Sequence, residues 1–166
     1  KRTAQRTAAA AIRIAVEMVK QGMLTRKQAI MRVAAHRLEE LLHPMIVPAA
    51  KKEASLLTRG LPASPGAASG VLVFDPDDAV EFAKRDLKVI LARTQTAPDD
   101  FHGMAAAVAV LTSIGGMTSH ASVVARGMGK PCVVGAKEIL IDYLAQTLTV
   151  NGKTFKKGEP ITLDGG

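Results

Sequence analysis

Residues 113–135 read SIGGMTSHASVVARGMGKPCVVG, and the rest of the C-terminal two thirds follows the same grammar. The apolar run AAVAVLT over 106–112 predicts a buried strand that ends in the Gly115-Gly116 turn. Thr118 or Ser119 then starts a helix that runs to about 128. PCVVG over 131–135 predicts the next strand. Working upstream, VLVF at 71–74 and KVILA at 88–92 predict two more strands. Between them Asp75 caps a helix with Pro76 at its first position. A short helix is expected around 98–104. Downstream, TLTV, Asn151-Gly152 and KTF predict a hairpin, because Asn-Gly favours the type I′ turn that joins twisted strands. PITLDGG ends the chain with one more strand. The fold class is therefore α/β over 60–166, with a β-rich tail.

Residues 1–59 read differently. Ala-rich residues 3–22 carry Ile12, Val16 and Val19 at helical spacing, with Gly22 as the stop. Thr25 caps a short helix through Met31, and another spans roughly 36–42, before Pro44. Residues 43–66 hold four prolines without periodicity and read as linker or wrapping segment. The division is a helical linker arm at 1–59 and a domain at 60–166. The chain opens on Lys1 already in helical sequence, which is expected of a piece of a longer protein.

Hydrophobic residues make up 48% of the 166 and charged residues 22%, which excludes compositional disorder. No apolar run approaches the ~20 residues of a membrane-spanning helix. The single cysteine, Cys132, excludes an intrachain disulfide and a cysteine-cluster zinc site. The net charge of +7 resides in the arm: residues 1–59 hold 12 Lys+Arg against 4 Asp+Glu, and the remainder holds 10 against 11.

His120 falls in the first turn of the helix after Gly115-Gly116. Unpaired backbone N–H groups and the positive end of the dipole favour an anion there. The same field disfavours imidazolium, leaving a ring nitrogen as a nucleophile. The N–H groups and the hydroxyls of Thr118 and Ser119 are placed to hold a phosphoryl group, and Gly115 and Gly116 let a bulky donor approach. A histidine at a helix start also serves purely structural ends, so the physics alone leaves both readings open.

The string GGMTSHASVVAR over 115–126 resembles the phosphohistidine signature of the phosphoenolpyruvate-utilising enzymes. Extended to GGMTSHASVVARGMGKPCVVG, it looks most like their pyruvate, phosphate dikinase branch. Met117 stands where the synthases and enzyme I of the sugar phosphotransferase system more usually have Arg; Ser122 stands where Ala is common. KRTAQRTAAAAIRIAVEMV, LEELLHP, GLPASPGAASG, ILARTQTAPDDFHGM and ITLDGG also resemble that branch.

The resemblance implies a swivelling β/β/α phosphohistidine domain behind a helical arm. His120 would be the carrier, phosphorylated on Nε2. ATP would supply a pyrophosphoryl group at an N-terminal ATP-grasp part, with AMP released. Phosphate would take one phosphoryl to give pyrophosphate, and a C-terminal barrel would pass the other to pyruvate. Gly115, Gly116, Ser119 and Arg126 would support the phosphate. Thr118 would be a regulatory phosphothreonine serving a kinase and phosphorylase, or simply the helix N-cap. This domain would need no cofactor or metal, and the whole enzyme would use Mg²⁺ at its ATP and pyruvate sites. The whole enzyme would be a homodimer of the cytoplasm, or of a plastid or other organelle in a eukaryote. Alone the chain would not turn over.

Two alternatives stand beside this reading. One is the carrier domain of a phosphoenolpyruvate synthase, with water replacing phosphate. The other is a basic nucleic-acid-binding module, which the arm's charge allows but its lack of interleaved aromatic residues disfavours. His36 and His43, and Asp99, Asp100 and His102, have the composition of metal ligands but lack convincing partners or are explained by capping. Cys132 is expected in the core, and Arg93 and Arg126 either pair with acids or meet a phosphate donor.

Overall fold

The structure is a computed structural model and describes residues 7–166. It divides into two compact units, residues 1–44 and 45–166. In the first, α1 (Ala8–Lys20), α2 (Arg26–Arg32) and α3 (Ala35–Leu42) match the expected helices. Thr7 caps α1 through the Ala10 N–H. Thr25 and Gln28 form a reciprocal capping box at α2. Ile12, Val16, Val19, Ile30 and Leu38 line an open apolar groove among these helices. His36 lies outside the residues whose side chains are described.

The second unit opens with α4 (Pro48–Glu53) and β1 (Leu61–Ser64), both inside the stretch that reads as unstructured. The prolines hid them for a physical reason. Pro48 sits at the first helical position, where the missing N–H costs nothing. Pro62 sits on β1, which is an edge strand of the sheet. Residues 45–60 are tied to this unit: Lys51 bonds Asp164 at 2.5 Å, Asn151 donates to the Leu57 carbonyl at 2.8 Å, and Thr58 donates to Glu138 at 2.7 Å.

Next come β2 (Ala67–Val73), α5 (Pro76–Lys84), β3 (Val89–Arg93), α6 (Phe101–Ala106), β4 (Ala109–Thr112), α7 (His120–Gly127) and β5 (Cys132–Val134). The tail is β6 (Leu140–Asp142), β7 (Thr147–Val150), β8 (Lys153–Lys156) and β9 (Pro160–Asp164). The strand expected at 106–112 begins only at Ala109, because alanines 105–107 complete and leave α6 instead. The sheet order is β1-β5-β4-β3-β2-β9. β2 to β5 are mutually parallel, and β1 and β9 flank them antiparallel. β6, β7 and β8 form a second, three-stranded antiparallel sheet.

Strand periodicity sends alternate side chains to two cores. Val73, Val89, Leu91 and Val110 meet Ala79, Met104, Ala121 and Ala125 on the helix side. Leu72, Phe74, Ile90 and Leu111 meet Leu148, Val150 and Ile139 on the side of the small sheet. The layers are thus sheet, sheet, helices. Asn151 and Gly152 both take positive φ, 48° and 75°, as the type I′ hairpin between β7 and β8 requires.

Lys130 closes the C-terminus of α6. Its ammonium donates to the carbonyls of Met104 at 3.1 Å, Ala107 at 2.5 Å and Ala105. Burial pulls its pKa below the ordinary lysine value, while the three carbonyls favour the charged form. Lys130→Met is expected to destabilise this unit by about 1–3 kcal/mol, because orphaned helix-end carbonyls lose their partner. Urea unfolding measures it; an unchanged midpoint contradicts this role.

Candidate phosphohistidine site

Two parallel strands build the site. β3 and β4 lie side by side with Arg93 opposite Thr112. The loops leaving their C-terminal ends, 94–100 and 113–119, therefore adjoin, as ligand-bearing loops of parallel sheets do. Backbone bonds stitch them together: Ser113 N–H to the Arg93 carbonyl at 3.2 Å and Ile114 N–H to the Thr94 carbonyl at 2.8 Å.

The second loop is folded tightly before the helix begins. Gly115 has φ +128°, and a Cβ there would lie 3.1 Å from Ser119 Oγ, so a side chain would be both strained and crowded. Gly116 has open space around it. Ser119, not Thr118, is the N-cap: its Oγ accepts from the Ser122 N–H at 3.4 Å and bonds Ser122 Oγ at 3.0 Å. Ser122 Oγ in turn donates to the Gly116 carbonyl at 2.7 Å. An alanine at 122 would lack this tie. Ser119's hydroxyl is thus engaged in capping, while Thr118 stands exposed one residue before the cap. Arg126 reaches back along the helix rather than to an acid. Its Nη2 donates to the Met117 carbonyl at 2.5 Å and its Nε to the Ser122 carbonyl at 3.4 Å.

His120 is the first residue of α7 and half-buried. Its Nδ1 lies 3.1 Å from Thr96 Oγ1, on the neighbouring loop. Thr96 is 9% exposed, so the hydroxyl meets the imidazole largely away from water. A hydroxyl both donates and accepts, and this bond therefore orients the ring in either neutral tautomer. It leaves Nε2 as the nitrogen with no hydrogen-bond partner among the described residues. In the Nδ1–H tautomer Nε2 carries a lone pair, and the first-turn N–H groups of α7 supply positive potential beside it.

Thr96 escapes the sequence reading. It sits 24 residues from His120 in a stretch without periodicity, and only the pairing of β3 with β4 brings the two together. The other weighed residues settle elsewhere. Arg93 donates to the Phe74 carbonyl at 2.9 Å, pairs with Asp100 at 3.3 Å and stacks 4.9 Å from the Tyr143 ring centroid. His102 bonds Asp77 at 2.9 Å, whereas Asp100 bonds Arg93 and the Ala97 N–H. Among the described residues no three His, Cys, Asp or Glu side chains gather as metal ligands.

Cys132 is fully buried, packed under α7. Burial pushes its pKa up to about 12, with Arg126 opposing the shift. At pH 8 iodoacetamide is expected to alkylate it at least roughly a hundredfold more slowly than an exposed thiol, because the thiolate is the nucleophile. Denaturant should remove the protection. Rapid stoichiometric labelling of the native chain would contradict the assignment.

Residues 86–166 match the family described as PEP-utilising enzyme, mobile domain. The whole chain is similar to curated pyruvate, phosphate dikinases. It is 49% identical over 164 residues to that of Rhizobium meliloti (strain 1021), covering 99% of this chain and 18% of the relative. The Clostridium symbiosum enzyme is 48% identical over 164 residues, covering 99% and 19%. That of Rickettsia typhi is 50% identical over 165 residues, covering 99% and 18%. The chain thus spans under a fifth of the length of the curated relatives it matches. With its GGMTSH turn, its mixed sheet and this continuous similarity, the chain is homologous over 99% of its length to one part of the pyruvate, phosphate dikinases, and its residues 86–166 match the mobile domain of PEP-utilising enzymes.

Proposed function

We propose that this chain is the phosphoryl-carrier part of a pyruvate, phosphate dikinase and that Nε2 of His120 is the carrying atom. The observation that carries the reading is the 3.1 Å contact between His120 Nδ1 and Thr96 Oγ1. It occupies the inner nitrogen and leaves the outer one for chemistry. In the charging step the Nε2 lone pair attacks phosphorus, an N–P bond forms, and the P–O bond to the leaving group breaks. Nδ1 keeps its proton and donates it in a hydrogen bond to Thr96 Oγ1. Starting from ATP, His120 would take the terminal pyrophosphoryl group and AMP would leave. Inorganic phosphate would then take the outer phosphoryl to form pyrophosphate. The remaining phosphoryl would pass to the enolate oxygen of pyruvate, giving phosphoenolpyruvate and restoring the imidazole.

This domain contributes the nucleophile, its orientation and the helix N-terminus. The ATP-grasp part, the barrel and the Mg²⁺ of each site would be supplied by the rest of the polypeptide, in a homodimer. The dikinase relatives at 48–50% identity favour phosphate over water as the acceptor, and so the dikinase over the synthase. A nucleic-acid role for the arm has less support, because what its helices leave open is an apolar groove.

A single histidine cannot bond in two reaction sites at once, so either the two sites abut or the domain travels between them as a rigid body, and we favour travel. Ile114, Met117 and Val123, which flank the His120 turn in the chain, are 56%, 43% and 58% exposed, which suits a face that docks and leaves. The test is a disulfide engineered between this domain and the ATP-grasp part of the full-length enzyme. Phosphorylation from ATP should survive, transfer to pyruvate should stop, and reduction should restore it. Full-rate turnover with a verified tether would show that the sites lie side by side.

A further inference from the structure

We infer that Asp100 is a positioning residue for His120, acting through the loop that carries Thr96. The residue is 5% exposed, and its carboxylate joins two elements. Oδ1 lies 3.3 Å from Arg93 Nη2, at the end of β3, and Oδ2 accepts the Ala97 N–H at 2.9 Å. Arg93 is itself anchored, by its Nη1 bond to the Phe74 carbonyl and by the Tyr143 ring beneath it. The chain 93–100 is therefore closed into a loop by its own ends, with Thr96 at the residue next to the tethered Ala97.

Tyr143 holds the other side of that loop. Its hydroxyl accepts the Thr94 N–H at 2.8 Å and donates to Thr94 Oγ1 at 3.1 Å. Thr96 thus stands between two tethered residues, Thr94 and Ala97. Without such anchoring a short polar loop would sample many conformations, and a hydroxyl would find Nδ1 only part of the time. A charged hydrogen-bond network centred on the buried Asp100 over-determines the position instead. The consequence is chemical rather than merely structural. While Thr96 holds Nδ1, only Nε2 is open to phosphoryl donors. When the loop loosens, the ring turns and both nitrogens compete.

This inference rests on the proposal that Nε2 accepts the phosphoryl group, but its test needs neither partner domains nor turnover. The 166-residue chain is treated with potassium phosphoramidate, a small phosphoryl donor, and the adduct on His120 is assigned to Nδ1 or Nε2 by phosphorus–nitrogen-correlated NMR. The native chain is expected to give the Nε2 adduct. In Asp100→Ala the share of Nδ1 adduct should rise about five- to tenfold, the ratio that one hydrogen bond sets. Thr96→Val should show a rise of similar size. Asp100→Asn keeps the shape and one acceptor oxygen and should fall between, which decides the matter if the alanine variant does not fold. Far-UV circular dichroism and the melting midpoint report folding separately. Native selectivity in a folded Asp100→Ala, or in Asp100→Asn if alanine does not fold, overturns the role of Asp100. Native selectivity in Thr96→Val overturns the whole relay. A native chain that gives mainly Nδ1 adduct defeats the Nε2 assignment itself.

Discussion

In the full-length enzyme, His120→Asn is expected to abolish both half-reactions, exchange with ATP and exchange with phosphoenolpyruvate, by at least about 10⁴-fold. Asparagine preserves the polarity and approximate size at the start of α7, and its amide can still meet Thr96, so the domain should keep its melting midpoint. What it lacks is a ring nitrogen with an available lone pair. The chemistry of the bond gives a second check on the native enzyme. Phosphate on imidazole nitrogen is labile in acid and stable in alkali, unlike an ester of the adjacent Thr118 or Ser119. Labelled phosphoenolpyruvate should therefore mark the peptide that contains His120 with acid-labile label. Label that persists in His120→Asn would assign the nucleophile to another residue.

Thr118→Glu should reduce phosphoryl transfer by roughly a hundredfold. Two like charges about 5 Å apart at an effective dielectric near 20 repel by about 3 kcal/mol. Thr118 is exposed and stands beside the helix start that would receive the incoming group. Phosphate on this hydroxyl would place a dianion there and compete for the same N–H groups. Because Ser119 supplies the cap, Thr118→Ser should leave both fold and activity close to native. The paired assay separates charge from lost structure. An active Thr118→Glu, or an inactive Thr118→Ser, would contradict the electrostatic account.

The elements that were legible in the sequence are those specified by local chemistry. Asp75-Pro76, Thr25 and Asn151-Gly152 each state a cap or turn within a few residues. The buried parallel strands show as apolar runs, because both of their faces are covered. The elements that were not legible depend on distant partners. β1 is four residues long and contains a proline, and it becomes a strand by pairing with β5 some seventy residues later. β6 is three residues long and exposed in part, and owes its existence to β7. The site divides the same way. His120 and its glycine turn lie within one short string. Thr96, Asp100 and Tyr143 come from elsewhere in the chain, and nothing local in their sequence points to the imidazole.

The central claim is that the group on His120 is a true intermediate, and a rapid-mixing experiment addresses it most directly. The full-length enzyme is charged with labelled phosphoenolpyruvate, freed of substrate, and divided. One portion meets pyruvate and the other AMP with pyrophosphate, each with Mg²⁺. The account predicts that label leaves His120 in both portions, as phosphoenolpyruvate and as ATP, at rates no slower than overall turnover. A phosphoenzyme that discharges to either acceptor more slowly than the enzyme turns over would contradict it.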